Sequence, residues 1–151
     1  MKGALSMNEK AEKFARMLAK MPDEDVFEVR EVEDSEEHLV LFRSSLEARE
    51  GLYLPMLVFL DDTLYTIIRV WTMTEAVTDA NRARVRDYLT RMNREYKVFK
   101  YYDTEEGDIV LDACIPSDAE HFEPEGVAVV IDVIWDHLKA TYAELEAAAK
   151  G

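Results

Sequence analysis

The chain reads as an α+β protein: a helix, a three-stranded antiparallel meander, a second helix, a β-hairpin and a last helix. Three observations predict this. Apolar residues recur at helical spacing from Phe14, again from Val85 to Tyr96, and again from Val127 to Leu145. Between Leu39 and Met73 the period falls to that of strands, broken by two short turns. The segment Leu89–Pro116 then reads as a helix end, a strand, an acid-rich turn ending in Gly107, and a strand stopped by proline.

The elements follow in order. Ser6 and Glu9 fit a capping box for the first helix, whose apolar face is Phe14, Met17, Leu18 and Met21; Pro22 and Asp23 end it. Phe27, Val29 and Val32 hint at a short strand. The meander opens with His38–Phe42, turns at Glu47–Gly51, runs through Leu52–Leu60, turns at Asp61–Thr63 and closes with Leu64–Met73. Thr78 is placed to cap the second helix, with Asp79 in its first turn and Val85, Tyr88, Leu89, Met92 and Tyr96 as its buried stripe. The hairpin pairs Val98–Asp103 with Asp108–Ile115. Pro124 suits the first turn of the last helix, whose stripe is Val127, Val130, Ile131, Ile134, Leu138, Tyr142 and Leu145. A single domain over residues 1–151 is expected, with residues 1–5 and 147–151 frayed.

Composition bounds the function. The chain has 151 residues, 48 % of them hydrophobic and 33 % charged, enough apolar material for one core. Thirty-two acidic side chains stand against 18 basic ones, a net charge of −14, which repels phosphate backbones and argues against nucleic acid as a partner. Cys114 is the one cysteine, in keeping with a reducing cytoplasm, and mid-strand it reads as a buried structural thiol. The start lacks a signal-peptide core, and the longest apolar run, Leu52–Leu60, is far short of the ~20 residues of a membrane helix. A cytoplasmic protein with no membrane partner is expected.

Turn length decides which residues share a sheet face. A three-residue loop at Asp61–Thr63 sets Leu60 opposite Leu64, so even positions lie together, whereas a two-residue loop would swap the faces. Leu54, Met56, Val58 and Leu60 then join Leu64, Ile68 and Val70 as an aliphatic face meant for helices. Tyr53, Leu57, Phe59, Tyr65, Ile67, Arg69 and Trp71 make the other, aromatic face. Aromatic side chains bury ~150–250 Å² each, so four together exceed the patch a monomer usually leaves open. A second copy, a client or the chain's own middle helix has to cover it. Tyr53, Phe59, Tyr65, Arg69 and Trp71 are therefore the partner-binding candidates on the sheet.

Signals for chemistry are few. The acids Asp103, Glu105, Glu106 and Asp108 fail the calcium-loop spacing, because glycine falls at position five. Asp61-Asp62 reads as turn chemistry. His38, His121 and His137 lack metal-ligand spacing, and no phosphate-binding glycine loop or nucleophile elbow occurs. No catalytic, cofactor-binding or metal-binding residue is assigned. Basic residues gather between Arg82 and Lys100, seven against Asp87 and Glu95, leaving the rest of the chain near −19. Arg82 and Arg86, flanking the helix stripe, are further partner-binding candidates through the guanidinium fork; pairing with the chain's own acids is the simpler reading.

The stretch LTRMNREYKVFKYYDTEEGDIVLDACIP resembles the YbjN-like family of bacterial proteins, described as sensory transduction regulators. Leu89, Met92 and Asn93 match its LNxxN helix end, Phe99 its strand, Glu106-Gly107 its turn, and Pro116 and Tyr142 later positions; Thr90 departs from it, standing where the first asparagine is common. The resemblance implies a fold like that of type III secretion chaperones, and protein-binding or regulatory work without catalysis. The reading that follows is a non-enzymatic protein-binding module, a homodimer, acting on a protein client or regulator. The alternatives are a small-molecule sensor with an apolar pocket between sheet and helices, and an unrecognised hydrolase or metal enzyme.

Overall fold

The computed structural model of the chain describes residues 7–21 and 27–151. Among them it is α+β, with three helices packed on one face of a six-stranded, wholly antiparallel sheet. The elements are α1 (Glu9–Ala19), β1 (Glu28–Glu31), β2 (Val40–Arg49), β3 (Leu52–Leu60), β4 (Tyr65–Met73), α2 (Arg82–Glu95), β5 (Lys100–Asp103), β6 (Ile109–Pro116) and α3 (Pro124–Lys150). The strand order is β1-β2-β3-β4-β6-β5. The expected three-stranded meander with a separate hairpin is thus corrected. β6 pairs with β4 from Tyr65↔Pro116 to Met73↔Ile109, and the Phe27–Val32 segment adds β1 at the other edge. The reason is general: a meander's last strand leaves a row of unpaired N–H and C=O groups, and a hairpin that docks on it satisfies them.

Helix ends are held by side chains that also tie elements together. α1 is capped by Asn8, whose Oδ1 accepts from the Ala11 N–H at 2.8 Å while its amide donates to the carbonyls of His38 and Leu60. The expected capping box needs Ser6, which lies outside the described residues, as do Pro22 and Asp23. At α2 the cap position falls to Asn81 rather than Thr78. Asn81 turns its side chain away from the helix: Oδ1 accepts from the Thr78 N–H, and Nδ2 donates to the carbonyls of Ala76 and Ala149. The start of α2 is thereby fixed to the end of α3. α3 begins with Pro124 in its first turn, as expected, and runs to Lys150. Ala148 and Ala149 are buried there, and the Arg84 guanidinium donates to the Ala148 carbonyl at 2.7 Å.

The strands sort the apolar residues cleanly. Val40, Phe42, Leu46, Leu54, Met56, Val58, Leu60, Ile68, Val70, Leu111 and Ala113 face the helices and are buried with Phe14, Val85, Leu89, Met92, Ile134, Leu138 and Leu145. Full burial of each large side chain contributes ~1.5–3 kcal/mol. β2 runs through Arg49, so the turn is Glu50-Gly51 rather than Glu47–Gly51; Gly51, at φ +82°, takes the left-handed conformation that a side chain would oppose. β4 begins at Tyr65, and Phe59 pairs with Ile67, two residues beyond the register of a three-residue loop. A shift of two leaves every side chain on its expected face, although Leu64 itself falls in the turn, 55 % exposed. Pro55 sits in β3 where the ladder with β4, which starts at Met56, has ended.

Candidate functional site

Among the described residues the second face of the sheet carries no helix, and of its alternate strand residues only Val110 and Asp112 are buried. Each strand contributes alternate residues to it, and the register places them side by side: Leu41 beside Phe59, Leu57 beside Arg69, Phe59 beside Ile67, Ile67 beside Cys114, Trp71 beside Val110, and Val110 beside Tyr102. Tyr53 and Tyr65 are 60 % and 54 % exposed, while Leu57, Phe59, Ile67, Arg69 and Trp71 are half-buried by one another. Among the described residues no helix packs on this face, so the chain's own middle helix is not its cover. α2 lies across the other side, where Val85, Tyr88, Leu89 and Met92 enter the core.

At the middle of the face a charged pair is held tightly. Arg69 donates from Nε to Asp112 Oδ1 at 2.8 Å and from Nη2 to Oδ2 at 2.9 Å, and the Tyr102 hydroxyl donates to Oδ2 at 3.1 Å. The guanidinium lies 5.2 Å from the centre of the Phe59 ring. The bidentate bond raises the pKa of Arg69 above its already high value, and burial raises that of Tyr102. The consequence is mechanical as well as electrostatic. The fork fixes β4 to β6, and both charges are already paired, so a partner could cover the face without stranding either of them.

Charge on this face differs from charge on the chain. Along its paired strands stand Arg30, Arg43, Arg69 and Lys100 against Glu28, Glu47 and Asp112, a net of +1 where the whole chain carries −14. Where Trp71, Pro55, Leu57 and Leu41 meet Arg30 and Arg43 the surface forms a shallow hollow.

Five of the candidates from the sequence, Tyr53, Phe59, Tyr65, Arg69 and Trp71, are brought together here. Arg82 and Arg86 are not: they lie on α2 and pair within the chain, with Asp79 at 2.7 Å and Asp103 at 2.9 Å. Those bonds lower the pKa of each carboxyl. Asp112 and Tyr102 belong to this candidate site and were not among the residues the sequence singled out. Alternation along β6 could have grouped Asp112 with Val110 and Cys114, but nothing local says that β6 lies beside β4. Cys114 is a correction: it is exposed, not buried, near the end of β6, whereas Val110 and Asp112, which share its face of the sheet, are buried.

A second polar group is enclosed. His137 on α3, 6 % exposed, sits among the rings of Tyr96 and Phe99, whose centres are 4.5 and 4.6 Å from its own. Its Nε2 is 2.8 Å from the Tyr101 hydroxyl, and its Nδ1 has no hydrogen-bond partner among the described residues. Burial brings its pKa down to about 4, so the ring is neutral near pH 7. The acid turn before β6 does structural work: Gly107, at φ +89°, offers its carbonyl to the amides of Ala76 and Val77, and Asp108 accepts from the Glu75 N–H at 2.8 Å. Among the described residues no group of three or more His, Cys, Asp and Glu side chains is arranged to hold a metal ion, and no helix is long and apolar enough to cross a membrane.

Compared with known proteins, the chain matches no family model and no curated protein. What its fold defines is a class of architecture: an antiparallel sheet with helices on one side and, among the described residues, no helix on the other.

Proposed function

We propose that this chain is a non-enzymatic protein-binding module and that the open sheet face is its recognition surface. The resemblance of Leu89–Pro116 to the YbjN-like family extends the reading to a regulator of sensory transduction with a secretion-chaperone-like fold, working in the cytoplasm. The observation that supports it is the uncovered face itself, aromatic and near-neutral, with its central charges already paired. Interfaces draw their affinity from a few buried aromatic and arginine anchors, and Trp71, Phe59, Tyr65 and Arg69 supply that chemistry.

The test is affinity purification from the native host, comparing the wild type with a Tyr65→Ala/Trp71→Ala variant by quantitative mass spectrometry. The variant is expected to keep its far-ultraviolet circular dichroism and to lose recovered partners by tenfold or more, as loss of two anchors at ~1–2 kcal/mol each implies. Equal recovery would refute the reading. A small-molecule sensor is the second reading, favoured by a hollow between α1, β2 and α3 lined by Phe14, Met17, Leu18, Met56, Ile131 and Trp135. Its volume of about 100 Å³ is well under the ~300–1,000 Å³ of ordinary ligand sites, which places the weight on the open face.

A further inference from the structure

We propose that the occupant of the open face is a second copy of this chain, docked sheet to sheet about a twofold axis; this rests on the face being a recognition surface, as argued above. The first support is area. Six strands about 4.8 Å wide, four of them eight to ten residues long and the edge strands β1 and β5 four residues each, at about 3.3 Å per residue, give a face of roughly 700 Å². A standard stable interface takes about 800 Å² from each partner. The whole face, and not a corner of it, is therefore the size a dimer needs.

The second support is charge. Two chains of net −14 repel each other wherever their acidic surfaces meet. The open face, at net +1 with both signs present, is a surface on which like copies can approach without that penalty. A twofold contact sets one patch against itself, so it needs both signs on that patch, and strands β1 and β2 carry Glu28 and Glu47 beside Arg30 and Arg43. A strongly basic client would instead be drawn to the acidic remainder of the molecule. The third support is the Arg69–Asp112 fork. It neutralises the centre in advance, so covering it leaves no lone charge in an apolar contact.

Light scattering on the full chain after size exclusion tests this, at about 50 µM protein. The expected mass is twice the 17.4 kDa of one chain. Ile67→Lys, which sets a cation in the middle of the face on both copies, is expected to weaken association at least about 100-fold and return the single-chain mass. Should Ile67→Lys fail to fold by circular dichroism, Tyr53→Lys/Tyr65→Lys, at two exposed positions, is the second variant and is expected to give the same result. Raising salt from about 20 to 150 mM is expected to tighten the wild-type dimer several-fold by screening the acidic remainder, whereas a dimer held by α2 arginines would loosen. A wild-type mass of one chain, a dimer that ignores both variants, or a dimer that loosens with salt overturns the second-copy proposal. None of these touches the broader protein-binding reading, which stands or falls on the Tyr65→Ala/Trp71→Ala purification.

Discussion

His137 should make this protein acid-sensitive in a window where most carboxylates are still ionised. The ring is packed against Tyr96 and Phe99 with Nδ1 unbonded, and burial holds its pKa near 4 against an ordinary value of 6.5. A histidine whose folded pKa is depressed binds fewer protons folded than unfolded. The stability it contributes is fully present above pH 6.5, falls as pH drops toward 4, and is gone below that. The gap of about 2.5 pH units, at about 1.4 kcal/mol per unit, sets the loss at about 3 kcal/mol, with a slope never above about 1.4 kcal/mol per unit. Urea unfolding of the wild type and of His137→Gln at pH 7, 6, 5 and 4.5 measures it. Glutamine can still bond the Tyr101 hydroxyl, while the charge change is gone. Contributions from Asp79, Asp103, Asp118 and Glu146, whose pKa values are lowered by arginine, histidine or backbone partners, are common to both proteins and cancel in the difference. The wild type is expected to converge on the variant as pH falls. Curves that stay parallel from pH 7 to 4.5 would refute the argument that the buried ring stays neutral.

Two further outcomes test the sheet. Arg69→Leu removes the bidentate partner of the buried Asp112 carboxylate, leaving it the Tyr102 hydroxyl, and is expected to cost about 2–3 kcal/mol, while Arg69→Leu with Asp112→Leu recovers most of the loss; a double-mutant cycle by urea unfolding measures the coupling, and simple additivity would contradict it. Asn93→Ala removes the amide that accepts from the Tyr101 N–H at 2.7 Å and donates to the Tyr101 carbonyl at 3.1 Å, as a neighbouring strand would. It is expected to cost about 1–2 kcal/mol and to speed hydrogen exchange at the Tyr101 amide; unchanged exchange would show that the edge of β5 does not depend on this amide.

Much of the architecture was legible because it is local. β3 falls on the expected Leu52–Leu60, Pro124 sits in the first turn of α3, and Val85, Tyr88, Leu89 and Met92 of the expected stripe are buried, each following from a period or a fixed dihedral angle; Tyr96, the last of that stripe, instead lies past the end of α2 in extended backbone and is half-buried. The two faces of β3 and β4 were correctly divided although the loop between them is longer than assumed, since parity survives an even shift. What was not legible depends on which strands become neighbours. The pairing of β6 with β4 creates the Arg69–Asp112–Tyr102 group from residues far apart in the chain, exposes Cys114, and turns the meander and hairpin into one sheet. The caps were missed for a related reason. Asn8 and Asn81 are chosen by what they reach across the fold, the ends of β3 and α3, and not by the motif beside them.

Cys114 offers the most direct probe of whether the open face is covered in the working protein. It is the one thiol in the chain, exposed on that face opposite Ile67, so its alkylation rate reports access to the surface without any substitution. As protein concentration rises from about 1 to 100 µM, the rate in the native chain is expected to fall about tenfold as the face is taken up by its partner copy. A rate that stays constant over that range, and equal to that of Ile67→Lys, would contradict the account.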